Sequence, residues 1–273
     1  MKKKILQSVL TFSVLIFAFS YAHAETILFV SPTRVNLDEK HKVEVMNLSN
    51  LSDIPRRYKI SLEEYAMSEK GVTVLTSNFP YSAKKLIRFY PREVVIQPGQ
   101  RQAVRVMAKI PSDLPDGQYH VHIKFFEDGK ADEGGDQKEP NKTSIKVGMA
   151  YSAVMPITVS KGTIDTQVNW VDPKISYDDN NKIYRIDMEL TRSGNGQGVA
   201  FSDVFYVAPD GTETQVGNRR THYIYREIDK RNANIQFNLP EGASNAGKIK
   251  LRLLTSAKGI KPQPVNEMLL SIP

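Results

Sequence analysis

The sequence predicts an all-β protein made of two β-sandwich domains in tandem, and three observations support this fold class. Apolar residues alternate with polar ones in short runs, which is the period of a half-buried strand. Proline, glycine, asparagine and aspartate separate these runs at intervals of roughly 8–15 residues. The pattern begins again near Val159-Ser160-Lys161-Gly162 and nowhere gives way to a long amphipathic helix. We therefore expect two separate cores.

Residues 1–24 are predicted to be a cleaved signal peptide. Lys2, Lys3 and Lys4 supply a positive start, and residues 5–19 are mostly apolar. Ala22-His23-Ala24 then matches the small-x-small pattern that signal peptidase cleaves. The apolar run is short for a membrane-spanning helix, which needs ~20 apolar residues, and no later run approaches that length. We expect an exported mature chain without a membrane span.

Charge and cysteine content exclude several classes of function. The net charge falls from +7 to +4 once the three lysines of residues 1–24 are removed, and no run of five like charges remains. Binding to nucleic acid is therefore not expected. The chain has no cysteine, which excludes disulfides, cysteine nucleophiles and thiolate metal sites. About 250 mature residues are enough to form two hydrophobic cores without crosslinks.

The first domain is predicted over residues 25–158. Gln97-Pro98-Gly99 and Ile110-Pro111 end two of its strands, because proline and glycine interrupt strand pairing. About seven short strands of this kind are typical of an immunoglobulin-like sandwich. The apolar residues that define the strands are Thr26 to Val30, Val35 and Leu37, Val43, Val45 and Leu48, Tyr58, Ile60 and Leu62, Val72 and Val74, Val94 to Ile96, Val104, Val106 and Ala108, Tyr119, Val121, Ile123 and Phe125, and Ile145, Val147, Met149 and Tyr151.

Residues 127–142 are predicted to be a mobile loop between two strands. The segment is charged, rich in glycine and nearly free of apolar residues, so that it cannot repay the entropy of ordering. The strand that follows is predicted over residues 144–157. Its alternating apolar residues lie on one face, because side chains in a strand repeat every second residue.

The second domain is predicted over residues 159–273 and is again an immunoglobulin-like β-sandwich. Asp178-Asp179-Asn180-Asn181 and Asp210-Gly211 are predicted hairpin turns, because these residue types tolerate the left-handed backbone. The apolar residues that mark its strands are Ile164, Val168 and Trp170, Tyr184 to Leu190, Val204 to Ala208, Ile235 to Leu239, Ile249 to Leu253, and Met268 to Ile272.

Few residues suggest catalysis. His120 and His122 are two apart on a predicted strand and share a face, but two imidazoles without a further ligand do not make a metal site. We interpret them as ordinary sheet residues and expect no metal, no cofactor and no enzyme activity. An exported metal-dependent enzyme that uses both histidines is the least favoured alternative. Arg34, near the start of the first domain, is a candidate for binding a carboxylate through two hydrogen bonds.

A family resemblance is carried by a segment of the first domain and by its opening strand. The residues that carry it are Pro91, Pro98-Gly99, Arg105, Leu114-Pro115-Asp116, Tyr119 and Ser31-Pro32-Thr33-Arg34-Val35. In these features the chain resembles the periplasmic chaperones of the chaperone–usher pathway, the PapD-like family. The resemblance covers residues 26–157, and over the second domain it is only architectural.

The resemblance implies a periplasmic chaperone that caps pilus or fimbrial subunits and delivers them to an outer-membrane usher. Subunits of this kind lack their last strand, which leaves an open apolar groove and an unpaired edge. The chaperone fills both by donor-strand complementation, with main-chain hydrogen bonds and alternating apolar side chains. The donor residues implied here are Ile145, Val147, Met149 and Tyr151.

The resemblance also implies that Arg34 anchors the C-terminal carboxylate of the subunit together with a lysine of the donor strand. The family's lysine falls near Tyr151, where this sequence has none. Three alternatives follow: the anchor is different, Lys146 of the same strand serves through a shifted register, or Arg34 works with another basic residue such as Lys161. Two questions stay open: whether the free form self-associates to cover its donor edge, and whether the protein is instead a secreted structural or adhesive β-sandwich protein of the cell surface.

Overall fold

The computed structural model describes residues 27–77, 79–128, 151–255 and 262–273. The regular elements of these residues are all β-strands, which confirms the predicted all-β class. No helix in these ranges is long and apolar enough to cross a membrane. The predicted signal peptide lies outside the described residues, as do Ile145, Lys146, Val147 and Met149.

The first domain is a sandwich of two sheets with a small hairpin attached. Its strands are β1 (Leu28–Ser31), β2 (Val35–Leu37), β3 (Val43–Asn50), β4 (Arg56–Glu63), β5 (Tyr65–Met67), β6 (Thr73–Leu75), β7 (Ile87–Tyr90), β8 (Glu93–Ile96), β9 (Arg101–Ala108), β10 (Gly117–Glu127) and β11 (Ser152–Lys161). One sheet has the order β1-β3-β9-β7, and the other has the order β2-β11-β10-β4-β8. Strands β5 and β6 pair only with each other.

The core of this sandwich follows from the alternation in the sequence. Every second residue of β10 faces inward, and Val121, Ile123 and Phe125 are completely buried there. Met46 and Leu48 of β3 meet them from the opposite sheet. Each large apolar side chain buried in this way contributes about 1.5–3 kcal/mol to stability.

Two predicted boundaries fall within strands. Glu127, the first residue of the predicted loop, instead ends β10, because its amide donates to Tyr151 O at 2.9 Å and its carboxylate binds Arg56 at 2.5 Å. The predicted boundary between residues 158 and 159 lies within β11, which pairs with β10 as far as Lys161.

The second domain is a sandwich of its own. Its strands are β12 (Thr166–Asp178), β13 (Ile183–Gly194), β14 (Gly198–Val207), β15 (Glu213–Gln215), β16 (Arg220–Ile224), β17 (Lys230–Phe237), β18 (Lys248–Thr255) and β19 (Gln263–Ser271). One sheet has the order β12-β13-β17, and the other has the order β15-β14-β18-β19, with β16 also on β14. Trp170, Ile186, Leu190 and Leu251 lie in its separate core. Two sandwiches in tandem were predicted, and this is confirmed.

The two predicted hairpin turns of this domain are also present. Asp178 accepts hydrogen bonds from the amides of Asn180 and Asn181 at 3.0 and 3.2 Å, which closes the turn between β12 and β13. In the turn between β14 and β15, Gly211 adopts a φ of 87°, which glycine tolerates without strain.

Candidate binding site between the two domains

The outward face of β10 is covered rather than exposed. His120, His122 and Lys124 alternate with the inward-facing core residues of this strand, so they point away from the core. The two histidines share this face, as predicted, and are only 5% and 6% exposed. They are covered by the second domain, together with Tyr65 and Phe79 of the first domain.

An imidazole–tyrosine cluster forms this contact; it consists of Tyr65, His120, His122, Tyr225 and Glu227. The ring of Tyr225 lies 4.4 Å from that of His120 and 6.2 Å from that of His122, measured between centroids. Glu227 Oε2 lies 3.1 Å from His120 Nε2, and its Oε1 accepts the Met67 amide at 2.8 Å. Tyr65 packs edge-on against His122 at 4.9 Å.

Burial decides the direction of the pKa shift for His122 and Tyr225, whereas hydrogen bonds outweigh it for Glu227. Burial lowers the pKa of His122 to about 4, assisted by the charges of His120 and Arg34, so that this imidazole is neutral at neutral pH. Burial also raises the pKa of Tyr225, although the charge of Arg34 and a hydrogen bond with it act in the opposite direction. For Glu227, burial acts against ionisation, but hydrogen bonds from His120 and the Met67 amide keep its pKa below the ordinary value.

Arg34 lies at the rim of this cluster. The chain crosses from one sheet of the first domain to the other between β1 and β2, and Arg34 directly precedes β2. Its guanidinium carbon lies 4.2 Å from the centroid of the Tyr223 ring, a cation–π contact with the second domain. Among the described aspartates and glutamates, none forms an ion pair with this partly buried guanidinium.

Strand β11 has a free edge beside Arg34. It pairs with β10 along its whole length, but with β2 only from Ile157 to Val159. Within the ranges that the structure describes, residues 152–156 therefore have no strand neighbour on the β2 side. The parallel register, with Val35 beside Ile157, places Arg34 next to Pro156 at the end of this free edge.

The hydrogen-bonding groups of the free edge can be assigned from the ladder. Glu127 N donates to Tyr151 O, and alternate residues of an antiparallel strand direct their main-chain groups to the same neighbour. Ala153 and Met155 thus bond to β10. Ser152 and Val154 direct their N–H and C=O groups to the free side, where an incoming strand would find them.

The residues predicted to accompany Arg34 lie in different places. Tyr151 is 44% exposed. It alternates in the strand with Ala153 and Met155, which pack toward the core, and therefore lies on the opposite face of the sheet from His122. Lys161 binds Glu39 Oε1 at 3.1 Å near the far end of β11. Lys124, on the same face as His122, has its ammonium 3.1 Å from Glu63 Oε1. Lys146 lies outside the described residues.

The two domains are joined on either side of the cluster. Gln118 donates its amide to Asn195 O at 3.0 Å and accepts the Gln197 amide on its Oε1 at 2.7 Å. Arg226 donates to Gln118 O at 3.3 Å. The hairpin of β5 and β6 completes the contact, since Glu69 O accepts the Asn232 amide at 2.7 Å. These bonds set the position of Tyr225 relative to Arg34.

Fold and site together define a two-domain β-sandwich protein with a free strand edge that leads to an arginine between the domains. No protein-family model matches the chain, and no curated protein matches it significantly. The described residues contain no group of three or more histidine, aspartate or glutamate side chains placed to hold a metal ion.

Several solved structures are similar to this chain. The YadV chaperone matches with a TM-score of 0.46 and 12% identity, over 89% of this chain and 100% of that chain. The CupB2 chaperone of Pseudomonas aeruginosa matches with a TM-score of 0.45 and 12% identity, over 89% and 100%. The E. coli chaperone DraB matches with a TM-score of 0.41 and 13% identity, over 90% and 96%.

Proposed function

We propose that the protein is a periplasmic chaperone that binds a pilus or fimbrial subunit along the free edge of β11. The observation that supports this most directly is the free edge itself, which ends beside Arg34. An unpaired strand edge is a template for another strand, and its main-chain groups bind an extended chain with little dependence on sequence.

The subunit strand would add to the sheet next to β11. Ser152 and Val154 offer it main-chain donors and acceptors that β10 does not use. Tyr151 and the preceding donor residues Ile145, Val147 and Met149 share one phase, and their side chains would fill the apolar groove of the subunit. Strand pairing supplies affinity in this arrangement, and the side chains supply selectivity.

Arg34 would fix where the subunit strand ends. A guanidinium binds a carboxylate through two parallel hydrogen bonds, and such charge-assisted bonds are the strong ones. Since no described carboxylate pairs with Arg34, a C-terminal carboxylate of the subunit would be its counter-ion. The carboxylate bound at Arg34 would then fix the register of the added strand along the free edge of β11.

Export and delivery complete the proposal. The predicted signal peptide would send the chain to the periplasm, and the loaded chaperone would pass its subunit to an outer-membrane usher. Strand exchange needs no cofactor, because the free energy comes from pairing the subunit's exposed edge and burying its groove.

The test is capture of a partner from the native periplasm. Tagged wild-type protein should retain one small partner in equal amount, identified by mass spectrometry, and Arg34→Ala should reduce recovery by at least about tenfold because a charged hydrogen-bonded pair is lost. Arg185→Ala is the matched control, since Arg185 lies on the second domain and pairs with Asp187 at 2.6 Å. Circular dichroism confirms that both variants fold. A partner that is retained by Arg34→Ala, or no partner at all, would favour the structural or adhesive alternative.

A further inference from the structure

We propose that Tyr225 supplies a second hydrogen-bond donor to the carboxylate site, so that both domains hold the end of the client chain. This inference rests on the proposed function, in which a C-terminal carboxylate binds Arg34. A phenol of the second domain would take the role that the family resemblance gives to a donor-strand lysine. Client binding would then depend on the relative position of the two domains.

The hydrogen-bonding state of the Tyr225 hydroxyl carries the inference. Arg34 lies close enough to this hydroxyl to lower its pKa against the effect of burial, and a guanidinium can only donate, so the proton of the hydroxyl is not used by Arg34. On the other side His122 Nε2 lies 3.5 Å from the hydroxyl oxygen, beyond the usual range of hydrogen-bond lengths. The hydroxyl proton is therefore weakly used within the protein, although Tyr225 is only 4% exposed.

A carboxylate on Arg34 would be a better acceptor than His122. Hydrogen bonds to an ionised oxygen are shorter and roughly twice as strong as those between neutral groups. His122 is a neutral imidazole here, since burial holds its pKa far below neutral pH. The hydroxyl would therefore turn from a long bond with the imidazole to a charge-assisted bond with the client.

The geometry of Arg34 leaves room for this client group. The guanidinium carbon lies 4.2 Å from the centroid of the Tyr223 ring, a cation–π contact. A guanidinium has five N–H donors, and those that such a contact does not use can bind a carboxylate. Because Arg34 also touches Tyr225, one carboxylate bound by these donors would lie within reach of the phenol.

The position of Tyr225 is independently fixed. Its ring packs on His120 at 4.4 Å, and His120 is bound in turn to Glu227 at 3.1 Å. Glu227 is fully engaged, because its other oxygen accepts the Met67 amide at 2.8 Å. This carboxylate therefore has partners other than Arg34, and the hydroxyl is held in place before a client arrives.

The test compares one peptide in two chemical forms. The probe is a ten-residue peptide of alternating valine and threonine with an N-terminal fluorophore, made with a free C-terminal carboxylate and as the C-terminal amide. Dissociation constants are measured by fluorescence anisotropy for wild type, Tyr225→Phe, Tyr223→Phe and Arg34→Ala. Tyr223→Phe is the matched control, because it keeps the ring under Arg34 and loses a hydroxyl to which no role is assigned.

Wild type should bind the acid at least about thirtyfold more tightly than the amide, and Tyr225→Phe should weaken acid binding about tenfold with little effect on the amide. Tyr223→Phe should behave as wild type. If Tyr225→Phe keeps the acid preference, or weakens both forms equally, while Arg34→Ala abolishes that preference, the role of Tyr225 is overturned and the chaperone proposal stands. If wild type does not prefer the acid and Arg34→Ala changes nothing, the carboxylate site itself is wrong, and the proposed function fails with it.

Discussion

The free edge of β11 and the edge strand β19 are two sheet edges that the same chain treats differently. In β19, Pro264 cannot donate to a ladder, and Glu267 carries a charge that binds Arg252 at 2.8 Å. The free stretch of β11, residues 152–156, reads Ser-Ala-Val-Met-Pro and has no charged residue. Both edges expose apolar side chains and each contains a proline, Pro264 in β19 and Pro156 at the end of the free stretch of β11, but only β19 also has a charged residue and a bulge.

This difference indicates what each edge is for. An unprotected edge is an aggregation hazard, and proteins ordinarily protect such edges with charges, proline or a bulge. β19 has all three, since its register with β18 shifts between Leu253 and Leu254. Among the described residues, no strand covers residues 152–156 of β11 on the side where Arg34 lies, and the proposed client binding requires such an edge.

The largest expected effect comes from proline at Val154. Val154→Pro removes an N–H that points to the free edge, and its ring would collide with an added strand. Capture of the client from periplasm should fall by about a hundredfold, since an unsatisfied main-chain acceptor costs up to about 3 kcal/mol and the ring obstructs pairing. Quantitative mass spectrometry of the captured partner measures this loss.

Val265→Pro is the matched control for this comparison. Val265 is exposed on β19 and falls at the bulge, where it has no residue opposite it on β18. Client capture should stay within twofold of wild type, because proline is tolerated on an edge strand and this edge binds no client. Equal loss in both variants would show that proline acts by general destabilisation and would remove the distinction between the two edges.

Two buried histidines allow the interface and the second core to be compared by pH. Burial lowers the pKa of His122, between the domains, and that of His222, inside the second sandwich, to about 4 from an ordinary 6.5. Both pKa values are lower in the folded state, so their stabilising effect is complete above pH 6.5 and is lost as the pH falls toward 4. At pH 5 each histidine should lower the free energy of unfolding by about 2 kcal/mol.

Urea unfolding between pH 7 and pH 5 checks this expectation. His122→Gln and His222→Gln should each reduce the pH-dependent loss by about 2 kcal/mol, because glutamine does not titrate. If His222→Gln does so and His122→Gln does not, the contact between the domains opens before the sandwiches unfold, and Tyr225 is then not held against Arg34 at acidic pH.

Much of this fold was predictable from period-2 patterning. The strands around Tyr119 to Phe125 and Ile249 to Leu253 alternate strictly, and the structure has them as β10 and β18. β15, Glu213–Gln215, has no apolar residue and is exposed throughout, so no sequence signal marks it. β7, Ile87–Tyr90, does alternate, but its four residues before a proline are too short for the pattern to distinguish them from a turn.

The site was predictable only in its first-domain half. The carboxylate-binding role proposed for Arg34 rests on the family resemblance, whereas the shared face of His120 and His122 follows from the strand period. The burial of both histidines does not, because polar residues on an outward face normally indicate solvent. Tyr225 and Glu227 reach them only through the hydrogen bonds of Gln118 that set the domain orientation, and nothing local in the sequence encodes that contact.

Amide hydrogen exchange should resolve the two sides of β11. The Val154 amide should exchange at least about tenfold faster than those of Ala153 and Met155, which bond to β10. In β18, which lies between two strands, Leu251 and Arg252 should both exchange slowly. Two-dimensional NMR spectra after transfer to heavy water measure these rates. Equal protection of the amides of residues 152–155 would show that the edge is covered in the free protein, as self-association would do.

The smallest expected effect concerns the charge on β19. Glu267 binds Arg252 at 2.8 Å and lies 3.9 Å from Lys250, and all three side chains are partly exposed. Since exposed ion pairs contribute little, Glu267→Gln should lower the unfolding free energy by no more than about 1 kcal/mol. Pro264 still interrupts the edge in this variant, so sedimentation should find the same oligomeric state as wild type. If Glu267→Gln associates through β19, a single charge protects that edge, and the absence of charge on residues 152–156 becomes the feature that distinguishes β11.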